Sequence, residues 1–235
     1  MIYITGDTHI PIDIRKLSTR SFPEQKELTK NDFVIICGDF GGIWSNNAEE
    51  KYWLKWLYEK SFTTLFVDGN HENFHMLYEN YKVIDFNGGK ARKINDSIYH
   101  LMRGQIFILD GFKIFTMGGA LSHDKEHRVK DATWWEEELP SEKEYIEAKA
   151  NLKANNNTVD YIITHCAPDS IQTGLDTYYK TTGLTEFFNT IKNNIKYKHW
   201  YFGHYHRDVK IDKKHTCLYN KIVKIGNMIT THIHT

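Results

Sequence analysis

The sequence predicts an α/β fold in a single domain, and three observations predict it. Short apolar, β-branched runs recur along the chain, each closes in Gly, Asp, Asn or His, and helix-length amphipathic segments lie between several of them. The 235 residues exceed the usual domain size, yet one sandwich or α/β domain reaches this length and supports a core without staples. With no repeat and no low-complexity linker, the expectation is one domain over 1–235.

The runs Ile2–Ile4, Phe33–Cys37, Thr63–Val67, Tyr161–Ile163 and His199–Phe202 read as strands buried on both faces. Ala48–Lys60 reads as a helix, with Tyr52, Trp53, Trp56 and Leu57 forming an apolar stripe at helical spacing. Further helices are expected over Glu142–Leu152 and Thr185–Asn193. Ile106–Leu109 and Phe112–Met117 flank Asp110-Gly111, a pair suited to a tight primed hairpin turn. Cys217–Tyr219 and Ile222–Ile225 around Asn220-Lys221 form a weaker hairpin candidate, and Asn155-Asn156-Asn157 reads as a surface turn. The polar segment Leu121–Glu144 breaks this rhythm and is long for a connection, which points to a functional loop.

Composition excludes more than it identifies. Lys plus Arg and Asp plus Glu both number 30, so nothing in the overall balance calls for nucleic acid or an anionic membrane. Cys37, Cys166 and Cys217 are odd in number and widely spaced, which speaks against a disulfide framework or a thiolate zinc site. No stretch approaches the roughly 18 apolar residues of a membrane span, and the expectation is a cytoplasmic protein.

The chemistry lies where the strands end. Gly6-Asp7-Thr8-His9, Gly38-Asp39, Gly69-Asn70-His71-Glu72, Thr164-His165 and Gly203-His204-Tyr205-His206 each follow one of the five runs. Side chains at the carboxyl ends of neighbouring parallel strands converge on one crevice. Asp7 and His9, like His204 and His206, are two apart and in extended chain point to one side. Glycine before Asp7, Asp39, Asn70 and His204 allows close backbone approach to a small charged object. Two carboxylates, one amide and four or five imidazoles exceed what one divalent ion can use. Two ions about 3.5–4 Å apart, sharing a carboxylate, could use them all. Oxygen and nitrogen donors without thiolate suit Mn, Fe, Zn, Co or Ni better than Ca or Mg.

Those five blocks, in that order over residues 1–206, resemble the calcineurin-like metallophosphoesterases. Gly118-Gly119-Ala120 followed by Asp124, Arg128 and Trp134-Trp135 is similar to small bacterial and phage members. The resemblance implies a four-layer α/β/β/α sandwich of two mixed β-sheets flanked by helices. It implies one metal held by Asp7, His9, Asp39 and His206, and a second by Asp39, Asn70, His165 and His204. A hydroxide between the ions would attack a phosphomonoester or phosphodiester in line, with His71 assisting the leaving group. The preferred cofactor is two divalent ions, with Mn foremost. The substrate is a small-molecule or phosphoprotein ester, and nucleic acid is disfavoured by the lack of a basic or aromatic-interleaved run.

The chain departs from the protein-phosphatase branch. Where that branch reads Gly-Asp-x-x-Asp-Arg-Gly, this chain has Gly38-Asp39-Phe40-Gly41-Gly42-Ile43-Trp44. Glu72 or Asp68 are then the candidates to orient His71, and Arg128, Arg103 or Arg207 to reach phosphate. Cys37 and Cys166 read as core, Trp53 and Trp56 as helix packing, and Glu136-Glu137-Glu138 as solvated. Trp134-Trp135 read as cleft cap or buried loop anchor. His123 and His127 read as surface, and His232 and His234 as frayed tail. A catalytically inactive metal-binding scaffold is the competing reading, but no ligand of the motif set is missing. An amidohydrolase would place its His-x-His early and its Asp late, the reverse of the order here.

Overall fold

The computed structural model describes residues 1–175 and 178–226. His232 and His234 lie outside them. In chain order the strands are β1 (Ile2–Thr5), β2 (Phe33–Ile36), β3 (Thr63–Phe66), β4 (Val83–Phe86), β5 (Gly89–Asn95), β6 (Ile98–Leu101) and β7 (Gln105–Leu109). They continue as β8 (Phe112–Met117), β9 (Tyr161–Thr164), β10 (His199–Phe202), β11 (Val209–Lys210), β12 (His215–Cys217) and β13 (Ile222–Ile225). The helices are α1 (Ala48–Tyr58), α2 (Phe74–Asn80), α3 (Glu142–Ala154), α4 (Asp169–Leu175) and α5 (Gly183–Asn194). None of these is long and apolar enough to cross a membrane.

Two mixed sheets result, ordered β13-β1-β2-β3-β6-β5-β4 and β11-β12-β10-β9-β8-β7. Each central strand divides its side chains between two layers. In β1, Ile2 and Ile4 enter the core between the sheets, together with Ile35, Leu65, Phe107, Ile114 and Ile163. Tyr3 points the other way, joining Val34, Ile36 and Phe66 under Trp53 and Leu57 of α1 and Leu77 of α2. The outer face of the second sheet offers Phe115, Ile162, Trp200 and Phe202 to Leu152 of α3, Ile171 of α4 and Phe188 of α5. Three apolar layers between four structural ones make the α/β/β/α sandwich, and burial on both faces is why these strands read as unbroken apolar runs.

Local chemistry starts and stops the helices. Asn47 accepts the Glu50 N–H at 2.8 Å to cap α1, and Ser141 with Glu144 forms a capping box on α3. Asp110 and Gly111 both take positive φ, 48° and 80°, as a two-residue turn between β7 and β8 demands.

The hairpin expected across Asn220-Lys221 does not form. β12 pairs parallel with β10 in the second sheet, whereas β13 pairs antiparallel with β1 in the first. The chain between them crosses sheets, and the Asp208 carboxylate accepts the N–H groups of Tyr219, Asn220 and Lys221 at 2.8–3.0 Å, replacing a hairpin ladder. The five marked strand ends also divide between the sheets, β1, β2 and β3 in one and β9 and β10 in the other. Their crevice is therefore where the carboxyl ends of two sheets meet.

Candidate metal centre

The backbone does not leave these strands in extended form. His9, Asp39, His204 and His206 all have positive φ, 32°, 47°, 68° and 49°. The chain turns sharply at each, so the expectation that residues two apart share a side needs correction. Asp7 and His9 fall in one cluster, but His204 and His206 separate into two. Donor atoms of Asp7, His9, Asp39 and His206 lie within 4.8 Å of one another, as do those of Asp39, His165 and His204. Asp39 is common to both.

Asp39 and Asp7 are 2% and 0% exposed, and backbone donors hold them. The His71 N–H donates to Asp39 Oδ1 at 2.8 Å, and the His204 N–H to Asp7 Oδ1 at 3.0 Å. Asp39 Oδ2 lies 3.1 Å from His9 Nε2, and Asp39 Oδ1 lies 3.3 Å from His165 Nε2. His206 Nε2 is 3.2 Å from Asp7 Oδ2. The glycines before the motifs leave room for these carboxylates: a Cβ on Gly69 would stand 2.0 Å from Asp39 Oδ1, and one on Gly203 2.0 Å from Asp7 Oδ1.

Second partners select which imidazole nitrogen faces inward. His165 Nδ1 donates to the Cys37 carbonyl at 2.8 Å, so Nε2 is the nitrogen that faces Asp39. His9 Nδ1 is 2.9 Å from Asp13 Oδ2, a carboxylate that accepts its Nδ1–H and turns Nε2 toward Asp39. Asp13 also accepts the Tyr219 hydroxyl at 3.1 Å. Asn70 is 4% exposed, with Oδ1 at 3.2 Å from His165 Nε2 and Nδ2 donating to Ser122 Oγ at 3.3 Å.

The electrostatics are those of a cation site. Burial lowers His9 and His165, yet Asp39, with Asp7 assisting, carries both up to about 9. Burial raises the Asp39 carboxyl, but His165, His9 and His71 outweigh it and hold it well below the usual range. His204 is pushed well down by burial and then by His165. Two buried carboxylates, oxygen and imidazole donors within reach of one another, and glycines that make room for the carboxylates fit a pair of divalent ions.

His71 flanks this cluster, its ring 5.5 Å from that of His9. Arg128 Nη2 stands 3.5 Å from His71 Nε2, and Arg128 Nε donates to Asp124 at 2.7 Å. Of the other arginines proposed to reach phosphate, Arg103 is buried against Asp68, and Arg207 donates to the Leu175 carbonyl at 3.0 Å. Asp68 is committed to Arg103 and His100, and Glu72 Oε1 accepts the Phe40 N–H at 2.8 Å, so neither is hydrogen-bonded to His71.

Two expectations about the long segment change, and for Trp135 the buried alternative holds. Glu138 is buried, because its carboxylate accepts both the N–H and the hydroxyl of Ser122, at 3.0 and 2.9 Å. His123 is not a surface group, since its ring sits 5.5 Å from that of His204. Trp135 is buried beneath the loop, edge-on to Trp44 at 5.2 Å. Cys37 and Cys166 are buried and unpaired, as core residues. Sequence reasoning missed Asp13, although its position four residues after His9 was visible. It missed Ser122 altogether, which carries no local signal.

A two-sheet α/β sandwich with buried carboxylates and imidazoles clustered at its strand ends defines a metallohydrolase class. A family model described as calcineurin-like phosphoesterase matches residues 1–208, and the chain belongs to that family. Comparison with curated proteins found no match. Membership and the Asp/His clusters together support metal-dependent hydrolysis of a phosphoester.

Proposed function

We propose that the chain, acting as one domain, is a binuclear phosphoesterase that hydrolyses small-molecule phosphomonoesters or diesters. The observation that carries this reading is Asp39, a buried carboxylate common to both ligand clusters. Asp7, His9, Asp39 and His206 would hold one ion, and Asp39, Asn70, His165 and His204 the other. Manganese is the first candidate, with Fe, Zn, Co and Ni compatible with the same donors. When bound, two such ions would supply a lowered pKa for water and neutralisation of phosphoryl oxygens.

The remaining work falls to the chain's own side chains. His71 faces the leaving-group oxygen. Burial, opposed by Asp39 and aided by Arg128, lowers its pKa, so at neutral pH the free protein presents a neutral ring. A neutral imidazole stabilises charge on the departing oxygen through its N–H; the negative charge of a bound ester raises its pKa and equips it as a general acid. Arg128, whose guanidinium stands 3.5 Å from His71, is the phosphate contact in this reading. The backbone and second-partner hydrogen bonds of Asp7, Asp39, His9 and His165 hold the ligands in position before substrate arrives.

The test is His71→Ala assayed on p-nitrophenyl phosphate and its bis ester, with elemental analysis of both proteins. The expected result is about two metals per chain in each and a fall in kcat of about 10²–10⁴. Undiminished hydrolysis by the variant, or a metal content well below two in the wild type, overturns the reading.

A further inference from the structure

A pocket of about 290 Å³ opens directly beside the metal centre and is not used by the chemistry above. His9 and His71 form its inner wall. Ile10, Pro11 and Ile12 form one side, and the half-buried Trp44 forms part of the other. No lysine or arginine lines it among the described residues, and its remaining rim carries the acidic Glu49 and Glu50.

Trp44 is fixed before any ligand arrives. Its N–H donates to Glu50 Oε1 at 3.1 Å, and its carbonyl accepts Asn73 Nδ2 at 2.9 Å. Glu50 Oε2 takes the next two N–H groups, of Ser45 and Asn46, at 2.8 and 2.9 Å. The ring packs edge-on against buried Trp135. With its backbone held by these bonds and its ring packed edge-on against Trp135, Trp44 shares the lining with Ile10, Pro11 and Ile12, side chains that suit a flat ring.

We propose that this pocket is the leaving-group subsite, and that it selects small esters whose leaving alcohol carries an uncharged flat ring. The proposal rests on the hydrolase reading above, because His71, which that reading sets at the leaving oxygen, belongs to the pocket's lining. Three properties of the pocket define the class. Its size, at the low end for ligand sites, admits one ring system and not a folded segment. Its apolar walls and indole favour an aromatic surface. The exposed Glu49 carboxylate, with no lysine or arginine in the lining, repels a leaving group bearing further phosphate or carboxylate. A phenol, a benzylic alcohol and a nucleoside all satisfy this chemistry.

Calorimetric binding of two non-hydrolysable probes to the manganese-loaded chain tests the proposal without relying on turnover. Benzylphosphonate should bind at least about tenfold tighter than ethylphosphonate, because only the former has a ring to bury. Trp44→Ala should bring that ratio to about one. Ile12 is 77% exposed, so Ile12→Ala should fold normally and lower the ratio about twofold. A 4-carboxybenzyl probe should bind about tenfold more weakly than the benzyl probe. A wild-type ratio near one, a ratio that survives both substitutions, or equal binding of the carboxylated probe overturns the subsite. Ring-selective binding with no cleavage of benzyl phosphate or its diester would leave a ring-binding pocket and overturn its leaving-group role together with the hydrolase reading, whereas cleavage without ring selectivity would overturn the subsite alone. A nucleoside 5′-phosphonate in place of the benzyl probe then distinguishes a nucleobase from a simple aryl ring as the source.

Discussion

Arg103→Met asks how much of the fold behind the metal centre rests on one buried ion pair. Arg103 and Asp68 are 3% and 0% exposed. Nε and Nη2 both donate to Asp68 Oδ2, at 2.8 and 2.5 Å, and Nη2 donates to the Glu137 carbonyl at 2.6 Å. Methionine keeps an aliphatic stem but offers no donor, so a carboxylate without solvent loses its cation. Breaking such a pair from one side costs about 3–5 kcal/mol. Asp68 retains His100 Nε2 at 2.9 Å, which places the expectation near the lower end, about 3 kcal/mol. In a chain of this length each kcal/mol moves Tm by about 2–4 °C, so thermal denaturation should show a loss of about 6–12 °C.

The pH dependence gives a sharper readout of the same variant. Burial, then Arg92 and Arg103, hold His100 below its ordinary pKa despite the attraction of Asp68. Below about pH 6.5 the unfolded chain takes a proton there that the native chain refuses, so wild-type stability falls on acidification. Removing Arg103 deletes a repelling charge and leaves Asp68 in need of a cation, so His100 takes up the proton in the folded state and that penalty shrinks. Asp68 is held well below the carboxylate range, so its stabilisation is fully present above an unfolded pKa of about 3.9. It is lost only as pH falls through the folded value, outside this window. The Tm gap between wild type and variant should therefore narrow between about pH 8 and about pH 5.5. A loss under about 2 °C, or a gap that does not narrow, refutes the reasoning.

Three further outcomes follow from the centre itself. Asp13→Ala should weaken manganese binding about 10–100-fold in a competition with a chromophoric chelator, because the carboxylate that orients His9 is gone; Asp13→Asn should recover part of it. His9 and His165 titrate near 9, so around neutral pH an incoming cation must displace their protons. Affinity should rise with pH toward about 9, and calorimetry in buffers of different ionisation enthalpy should detect proton release. Gly203→Ala brings a Cβ to within 2.0 Å of Asp7 Oδ1 and 2.8 Å of the Cys37 carbonyl, so elemental analysis should show loss of metal.

What the sequence made legible has a physical pattern. Strands such as β1 and β2 were readable because burial on both faces removes polar residues from them. Each candidate ligand was readable because it stands where such a strand must turn. The edge of the first sheet was not: β4 and β5 alternate exposed and partly buried residues and include Lys90, Arg92 and Lys93, so no apolar run marks them. The Asn87-Gly88 turn between them, with φ of 47° and 90°, was a hairpin signal available in the sequence and unread. The mistaken hairpin at Asn220 had the converse cause. Its flanks look alike locally, but Asp208 and the pairing of β12 with β10 send them to different sheets.

The least legible residues explain why the long segment after β8 is ordered. The Ser122 hydroxyl must donate to Glu138 Oε1, since a carboxylate only accepts, and its lone pair is left to accept from Asn70 Nδ2. That contact spends the amide's donor end and turns Oδ1 toward His165 Nε2, the orientation a metal ligand requires. Glu138 is held in turn where Arg103 Nη2 reaches its carbonyl at 3.4 Å, and Arg103 returns to Asp68, two residues before Asn70. The chain of contacts is thus closed, from Asn70 through the long segment and back to the end of β3. None of its links is local in sequence, and no motif marks Ser122 or Glu138. Yet the ring sets which atom of Asn70 faces the second ligand cluster, so the segment acts as a brace for the site rather than as an appended loop.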